Sequence, residues 1–379
     1  MRPALRPVAF AFVSFGLFAG MFAVAAVDIE HSFNLSDGGL GLVLAAGILA
    51  ATVVAMVGGV ITDRFGARAV LARCMFVWAV LIVIEMCAPS LAVFAPAFAL
   101  GTAIGGLADV VMNVIAADAL AATPGRLVRF HGLFNAGTIL GAIVTGVSVR
   151  VGLSWRGAWG VAAVAFVITG VFTWRSDIPE PPHEDHPSMW RAVAGLRNEG
   201  LVVLAAVCGA SAMVEGGIAT WGVLYLRAHL GLGVLAGVGA YVLGASFATL
   251  ARIGGGPIVG ALGPRRSIMT GGGLAAGGLA AEALVRAPVV AAAGLAIAAV
   301  GISVVWPTLV AVVNNEARHP TLAIGGVTAA GYLGMVIGPP LVGLLSNVFG
   351  LRVGLIALAG VAVFVACTPA HVRARTSVT

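Results

Sequence analysis

A few side chains in this sequence could do chemistry, and most of them stand alone in apolar surroundings. Asp109 interrupts the run Gly106-Leu107-Ala108-Asp109-Val110-Val111-Met112-Asn113. An ionisable group inside a bilayer is costly, and such groups usually face a cavity or a partner. Asn113 is one helical turn away on the same face, so the pair offers a carboxylate able to take and release a proton beside a hydrogen-bonding amide. The other reading is a structural acid bonded between helices. Glu215 is the second such acid, with Trp221 and Tyr225 following it. It could bind substrate or a second proton, or it could pack helices. His131 belongs to a residue type that titrates near neutral pH. It is a candidate relay with Asp109 or Asp118, and an interfacial histidine is the alternative. The amides of Asn113 and Asn135 and the rings of Trp221, Tyr225, Tyr241, Trp306 and Tyr332 could meet a polar solute. For each ring, lipid contact or packing is an equal reading. Arg252 could hold an anion if it points inward, or snorkel to an interface. Glu85 and Glu282 fall near the ends of apolar blocks and read as interfacial. Asp28, Glu30 and Asp37 read as facing water, and Trp155, Trp159 and Trp174 fit an aromatic belt.

The elements that must position these residues follow from composition. The chain has 379 residues, 60% of them hydrophobic, with 21 basic and 15 acidic side chains. A soluble chain of this length would need a far higher charged fraction, about one residue in four. This excludes a water-soluble globular protein, a disordered chain and a nucleic-acid binder. All the basic residues are arginine, and the net charge is +6. The apolar residues fall in twelve blocks, starting near Pro7, Leu40, Ala69, Leu91, Leu127, Trp155, Leu201, Leu235, Ser267, Val289, Leu322 and Leu351. A helix needs about 20 residues to cross the hydrocarbon core. The blocks are continuous, without the period-2 alternation of a barrel, and only helices satisfy every backbone group within one such segment. The expected fold is an all-α membrane protein of twelve transmembrane helices.

Arginine placement sets the orientation. With the N-terminus inside, sixteen of the 21 arginines fall in cytoplasmic segments, and Arg150, Arg156, Arg227, Arg286 and Arg352 remain outside. Both termini are therefore expected in the cytoplasm. The first block, after Arg2 and Arg6, resembles a signal peptide at its small-residue end, but eleven further blocks favour an uncleaved helix. One polar, proline-bearing stretch, Arg175 to Gly200, breaks the apolar pattern and reads as a cytoplasmic linker. It divides the chain into residues 1–174 and 201–379. Within it His183-Glu184-Asp185-His186 reads as a solvated charge cluster, with no further ligands for a metal. Cys74, Cys87, Cys208 and Cys367 lie in or beside apolar blocks without metal or redox spacing. No phosphate-binding loop, nucleophile–base signature or zinc spacing stands out. No enzymatic activity, cofactor or metal is expected.

The two parts look like copies. Gly59-x-x-x-Asp63-Arg64-x-Gly66-Ala67-Arg68 follows the second block, and Gly256-x-x-x-Gly260-Ala261-x-Gly263-Pro264-Arg265 follows the eighth. Gly59, Gly66 and Arg68 match Gly256, Gly263 and Arg265 at an offset of 197. The same offset links Gly137, Gly141 and Gly146 to Gly334, Gly338 and Gly343, and Arg156 pairs with Arg352 at 196. Asp109 corresponds to Trp306 and Glu215 to Phe18, so neither acid is needed by the shared scaffold. Six helices return to the same side, so the repeats are parallel, an arrangement of transporters with a site between two rocking halves.

These features resemble the major facilitator superfamily, over nearly the whole chain. Gly59 to Arg68 is close to that superfamily's loop signature between its second and third helices. The resemblance implies secondary transport of a small molecule by alternating access. It also implies a gate at Gly59, Asp63, Arg64, Gly66 and Arg68 that latches the outward-facing state. Glycine would let helices approach there, and Asp63 would face a helix N-terminus and an arginine. The second copy, with Gly260 and Ala261, should latch more weakly. Gly338 and Pro339 in the eleventh block should bend their helix, because proline removes a backbone bond. Local runs are similar to the fucose-permease branch and its YbjJ-type bacterial relatives: the Asp109 run, Arg129-Phe130-His131-Gly132-Leu133, and Glu215-Gly216 with Trp221 and Tyr225-Leu226-Arg227. By that resemblance Asp109 and Asn113 match a proton-coupling acid and its asparagine. Ala25 and Val27 depart from the arginine and proline of those relatives. The implied protein is a monomeric, proton-coupled symporter of a sugar or similar polar metabolite in a bacterial inner membrane, with protons, solute and lipid as its partners. The alternatives are an efflux antiporter for drug-like compounds, which the lack of proline between Gly137 and Gly146 disfavours, and a non-transporting sensor.

Overall fold

The computed structural model describes residues 5–120, 124–178, 195–197, 200–254 and 256–368. The side chains of 117, 120, 124–131, 253 and 320–322 lie outside the described set. Most of the linker and the end of the chain after Thr368 lie outside it too. Among the described residues there is no strand. The first six helices are α1 (Leu5–Phe33), α2 (Asp37–Phe65), α3 (Ala67–Cys87), α4 (Leu91–Leu120), α5 (Pro124–Arg150) and α6 (Trp155–Trp174). Helix α7 (Val202–Gly217) runs on into two π-helical turns, Ile218–Gly222 and Tyr225–His229. Then come α8 (Val234–Gly254), α9 (Gly256–Leu262), α10 (Pro264–Leu284), α11 (Pro288–Ser303), α12 (Val305–Glu316), α13 (Pro320–Phe349) and α14 (Leu351–Cys367). Each of the twelve apolar blocks is a helix whose start lies within three residues of the expected one.

Among the described residues ten segments are long and apolar enough to span a bilayer, with α11 and α12 together forming one, Pro288–Glu316. The other two blocks are α10, diluted by glycine, and α14, which is apolar but only 17 residues long. Proline opens α10, α11 and α13 at a position where its missing N–H costs nothing.

The chain forms two compact units, Met1–His186 with Gly233–Val242, and Pro187–Leu232 with Leu243–Thr379. In the first, α1 packs on α5, α2 on α4 and α3 on α6. Glycine sets these approaches. A Cβ on Gly16 or Gly20 would collide with backbone of Phe134 or Thr138, and one on Gly137 or Gly141 with the carbonyls of Val13 or Leu17. Without a hydrophobic drive between helices in lipid, such backbone proximity is what lets them associate. Between α2 and α4 the backbone approach is tightest at Gly106, against Ala51, and Gly58, beside the Gly59 of the loop motif, meets the Val110 side chain.

Edge-to-face aromatic packing fills this unit. Trp78 meets Phe15, Phe18 and Phe166 at ring centroid distances of 5.3, 5.5 and 4.7 Å. Trp155 and Trp159 belong to the same core at 2% and 0% exposure. They are not belt residues, because their shared face of α6 meets Phe94, Phe33 and Phe18. Trp155 also donates to the Ser32 hydroxyl at 2.9 Å. Only Trp174 of the three is exposed.

In the second unit α7 packs on α13, and α10 on α11 and α14. Gly209 and Gly334 bring α7 and α13 together, and Gly278 and Gly294 do the same for α10 and α11. The repeat is visible in the turns. Gly66 and Gly263 have φ of 81° and 77°, and Gly152 and Gly350 have 86° and 85°. Only glycine adopts this left-handed region at no steric cost.

Candidate functional site

In the first unit Asp109 lies half-buried on α4. Asn113 Nδ2 donates to the Asp109 carbonyl at 2.9 Å and to its Oδ1 at 3.0 Å. The helical spacing thus produces the expected pair, with the amide holding the carboxylate against its own helix. Asn135 is half-buried on α5, and its carbonyl accepts from the Thr138 hydroxyl at 2.8 Å. Tyr241 packs with Val242 against Val24, Ala142 and Val238. The side chain of His131 lies outside the described residues.

In the second unit Glu215 on α7 is paired with Arg252 on α8. Arg252 Nη2 donates to Glu215 Oε1. The side chains are 27% exposed for Arg252 and 34% for Glu215, so both are accessible while paired. Arg252 Nε donates to the Ser303 carbonyl at 3.1 Å. Sequence explains why that carbonyl is available. Its helical donor would be the N–H of residue 307, which is proline, and the ring of Pro307 also crowds the preceding turn. The helix accordingly breaks between Ser303 and Val305. One arginine therefore satisfies an acid and a carbonyl orphaned by a proline. Next to the break Trp306 is half-buried, its ring filling the notch above Gly331, where a Cβ would collide with it. Tyr332, 45% exposed, is the next residue.

Other expected positions fall elsewhere. Trp221 is fully buried, and its indole N–H has no hydrogen-bond partner among the described residues. Tyr225 is buried, and its hydroxyl donates to the Ala283 carbonyl at 3.2 Å. These two residues pack α7 rather than line an opening.

At the loop motif Asp63 is exposed, and Arg64 lies over the Phe65 ring, its Cζ 5.3 Å from the centroid. Arg68 Nη1 donates to the Ser176 carbonyl at 3.3 Å. Gly66 supplies the turn. Gly338 approaches Met213 of α7, and α13 continues through Pro339 and Pro340 as one element.

Three features escaped the sequence reading. Arg252 stands in the last turn of α8, as expected, but it is paired with Glu215 of α7, which the sequence does not signal. Glu30 is buried at 7% exposure rather than facing water. Glu85 and Glu282 are 0% exposed, not interfacial, and none of their carboxylate oxygens has a hydrogen-bond partner among the described residues. They are separated by 197 residues, so the repeat offset could have found them. Glu85 lies beside Trp78 and Gly101, and Glu282 near Gly222. Just beyond each acid an arginine closes the helix end. Arg156 Nη1 donates to the Met86 and Ala88 carbonyls at 2.7 and 3.0 Å, and Arg352 Nη2 to the Leu284 carbonyl at 3.3 Å. Among the described residues no group of three or more His, Cys, Asp or Glu could hold a metal ion.

Comparison with known proteins converges on one family. The model of the Major Facilitator Superfamily matches residues 8–321. Membrane protein MosC of Rhizobium meliloti is 25% identical over 370 residues, covering 96% of this chain and 88% of that protein. An MFS-type transporter of Yersinia pestis is 27% identical over 357 residues, covering 90% of this chain and 89% of the relative. Among solved structures, the nucleoside transporter NupG (a D323A mutant) superposes with a TM-score of 0.77 at 16% identity, over 98% of this chain and 100% of that one. A bacterial homologue of the human lysosomal transporter Spinster, inward-facing and occupied, gives 0.73 at 16% identity, over 97% and 96%.

Proposed function

The chain belongs to the Major Facilitator Superfamily, and on that premise we propose that it is a proton-coupled secondary transporter of a small polar metabolite. Transport of a solute across a membrane is the family's activity. The coupling ion and the solute class are our reading. The observation that carries it is the placement of charge. Asp109 with Asn113 in one unit, and Glu215 with Arg252 in the other, stand inside membrane-spanning helices where such groups are expensive.

In this reading Asp109 takes a proton from one side and releases it to the other. Glu215 forms the second proton site, and His131 relays to Asp109. Asn113, Asn135, Tyr241, Trp306 and Tyr332 meet the solute, with Trp221 and Tyr225 supporting α7 behind them. A solute group that engages Arg252 or Glu215 competes with their mutual bond, which links binding to rearrangement of α7 against α8. The halves are residues 1–174 and 201–379, joined by 175–200, with both termini cytoplasmic in a bacterial inner membrane. The protein works as a monomer. Gly59, Asp63, Arg64, Gly66 and Arg68 form one gate, and Gly338 with Pro339 supplies a hinge. The similarity of the Asp109 run to sugar symporters favours a sugar or similar polar metabolite.

Proteoliposomes with an imposed pH gradient test this reading, after a thermal-shift screen of sugars, organic acids and amphipathic amines identifies a ligand. The unaltered protein should accumulate the ligand uphill. Asp109→Asn should lose that accumulation and keep exchange. Undiminished uphill transport by Asp109→Asn would remove Asp109 from the mechanism, and binding without flux in the unaltered protein would make it a sensor.

A further inference from the structure

Two grooves on the first unit share one arginine. The larger, about 440 Å³, lies between α3 and α6 and is lined by Arg73, Phe76, Val171, Trp174 and Arg175. The α3 pair is spaced i, i+3, and the α6 trio i, i+3, i+4, so each set presents one helical face. Arg73 is six residues into α3, about 9 Å from its start at the helical rise. Arg175 is the C-cap of α6, directly after Trp174. Both are exposed, and neither has an acidic partner among the described residues. No carboxylate lines this groove. On the other side of Arg73 a second groove of about 220 Å³ runs between α2, α3 and α4. Its walls include Phe65, Val70, Cys74, Val77 and Leu107, and Arg73 is its only charged residue.

We propose that this double groove is a binding site for an anionic phospholipid, with the phosphate between Arg73 and Arg175 and an acyl chain in the apolar groove. The chemistry selects the class. Two guanidinium groups at one edge of a membrane-spanning bundle attract a phosphate and match its oxygens geometrically. A zwitterionic lipid would bring an ammonium group into a groove with no carboxylate to receive it. Trp174, the last residue of α6, leaves its indole exposed, and such rings prefer the depth where headgroups meet hydrocarbon. The apolar groove continues from the same arginine, which fits one molecule carrying both a charge and a chain. A free phosphate would use only half of the feature. The repeat separates this site from the scaffold, because Thr270 stands in the second unit where Arg73 stands in the first. The proposal needs only that the chain spans a membrane.

Native mass spectrometry of the purified protein with dioleoyl phosphatidylglycerol or dioleoyl phosphatidylcholine tests it. The unaltered protein should retain the anionic lipid in about tenfold preference, and R73Q/R175Q should lose most of that preference. R265Q/R266Q, at exposed arginines outside the grooves, should keep it. Equal retention of the two lipids would overturn the proposal, as would an unchanged preference in R73Q/R175Q or an equal loss in R265Q/R266Q. Glycerol phosphate should not displace the lipid at matched concentration; displacement would assign the site to free phosphate instead. A photo-crosslinking phosphatidylglycerol keeps the test independent of the variants' folding. It should label peptides containing residues 73–77 or 171–175 in the unaltered protein, and labelling only elsewhere would refute the assignment.

Discussion

Arg252→Ala should be among the most damaging single changes in the second unit, for a reason that lies partly in another residue. The substitution removes the donor for Glu215 and the donor for the Ser303 carbonyl. Leaving a buried acceptor unpaired costs about 1–3 kcal/mol. Glu215 is about a third exposed, so its loss belongs at the low end, about 1 kcal/mol, after discounting for solvent. Ser303 is buried, and its carbonyl has no helical donor because residue 307 is proline, which puts that loss at about 1–2 kcal/mol. The sum is about 2–3 kcal/mol, or a fall in Tm of roughly 3 °C for a chain of this size. Glu215→Gln keeps an oxygen acceptor for Arg252 and should cost less than half as much. The decisive variant is Pro307→Ala, which restores a backbone N–H facing Ser303. In the Arg252→Ala background it should recover about 1 kcal/mol beyond its effect alone. Thermal unfolding of the four proteins in one detergent, followed by tryptophan fluorescence, measures the cycle. Strictly additive shifts would show that Arg252 does not stand in for the missing amide, and the account of the helix break would fall with it.

Gly141→Ala should destabilise by about 1–3 kcal/mol, because the new Cβ meets the Leu17 carbonyl. Gly277→Ala, where the space is open, should be neutral or mildly stabilising; equal Tm shifts in the two would count against backbone proximity as the basis of the α1–α5 contact. Glu85→Met and Glu282→Met should each raise Tm if the carboxyls are only packed, since an unpartnered buried acid is replaced by an apolar side chain of similar size. Lost transport in either, with Tm raised, would instead assign that acid a role in the cycle. Gly66→Ala and Gly263→Ala should each cost about 1–2 kcal/mol through backbone strain alone, and the check is whether Asn at the same positions costs less.

Block length and glycine spacing made the architecture readable from the residues alone. Helix formation in lipid is set by runs of apolar residues, and those runs leave little ambiguity. The Asp109–Asn113 pair was readable for the same reason: it is local, and one helical turn fixes it. The Glu215–Arg252 pair was not, because 37 residues and a helix reversal separate the partners. The wrong assignments share a cause. Distance along a helix is a guide to depth but not to exposure, so Glu85, Glu282, Trp155 and Trp159 read as interfacial and Glu30 as facing water, whereas all five are buried. Packing direction around the helix decides exposure, and it depends on neighbours that only the tertiary structure supplies. Glu85 and Glu282 stand at the same 197-residue offset as the paired glycines, so the repeat marks these two acids as equivalent positions.

Gly66, Gly263 and Gly350 each end one helix and begin another. The N–H of each closes the preceding turn, onto Thr62, Val259 and Ser346, and the carbonyl of each opens the next, from Val70, Ser267 and Gly354. No slack chain exists at these joints. A protease needs several extended residues in its cleft, so cutting there would require unwinding two helices together. An epitope tag or fluorescent reporter spliced at any of the three would meet the same obstacle, whereas the same insertion in the Arg175 to Gly200 stretch leaves every joint whole.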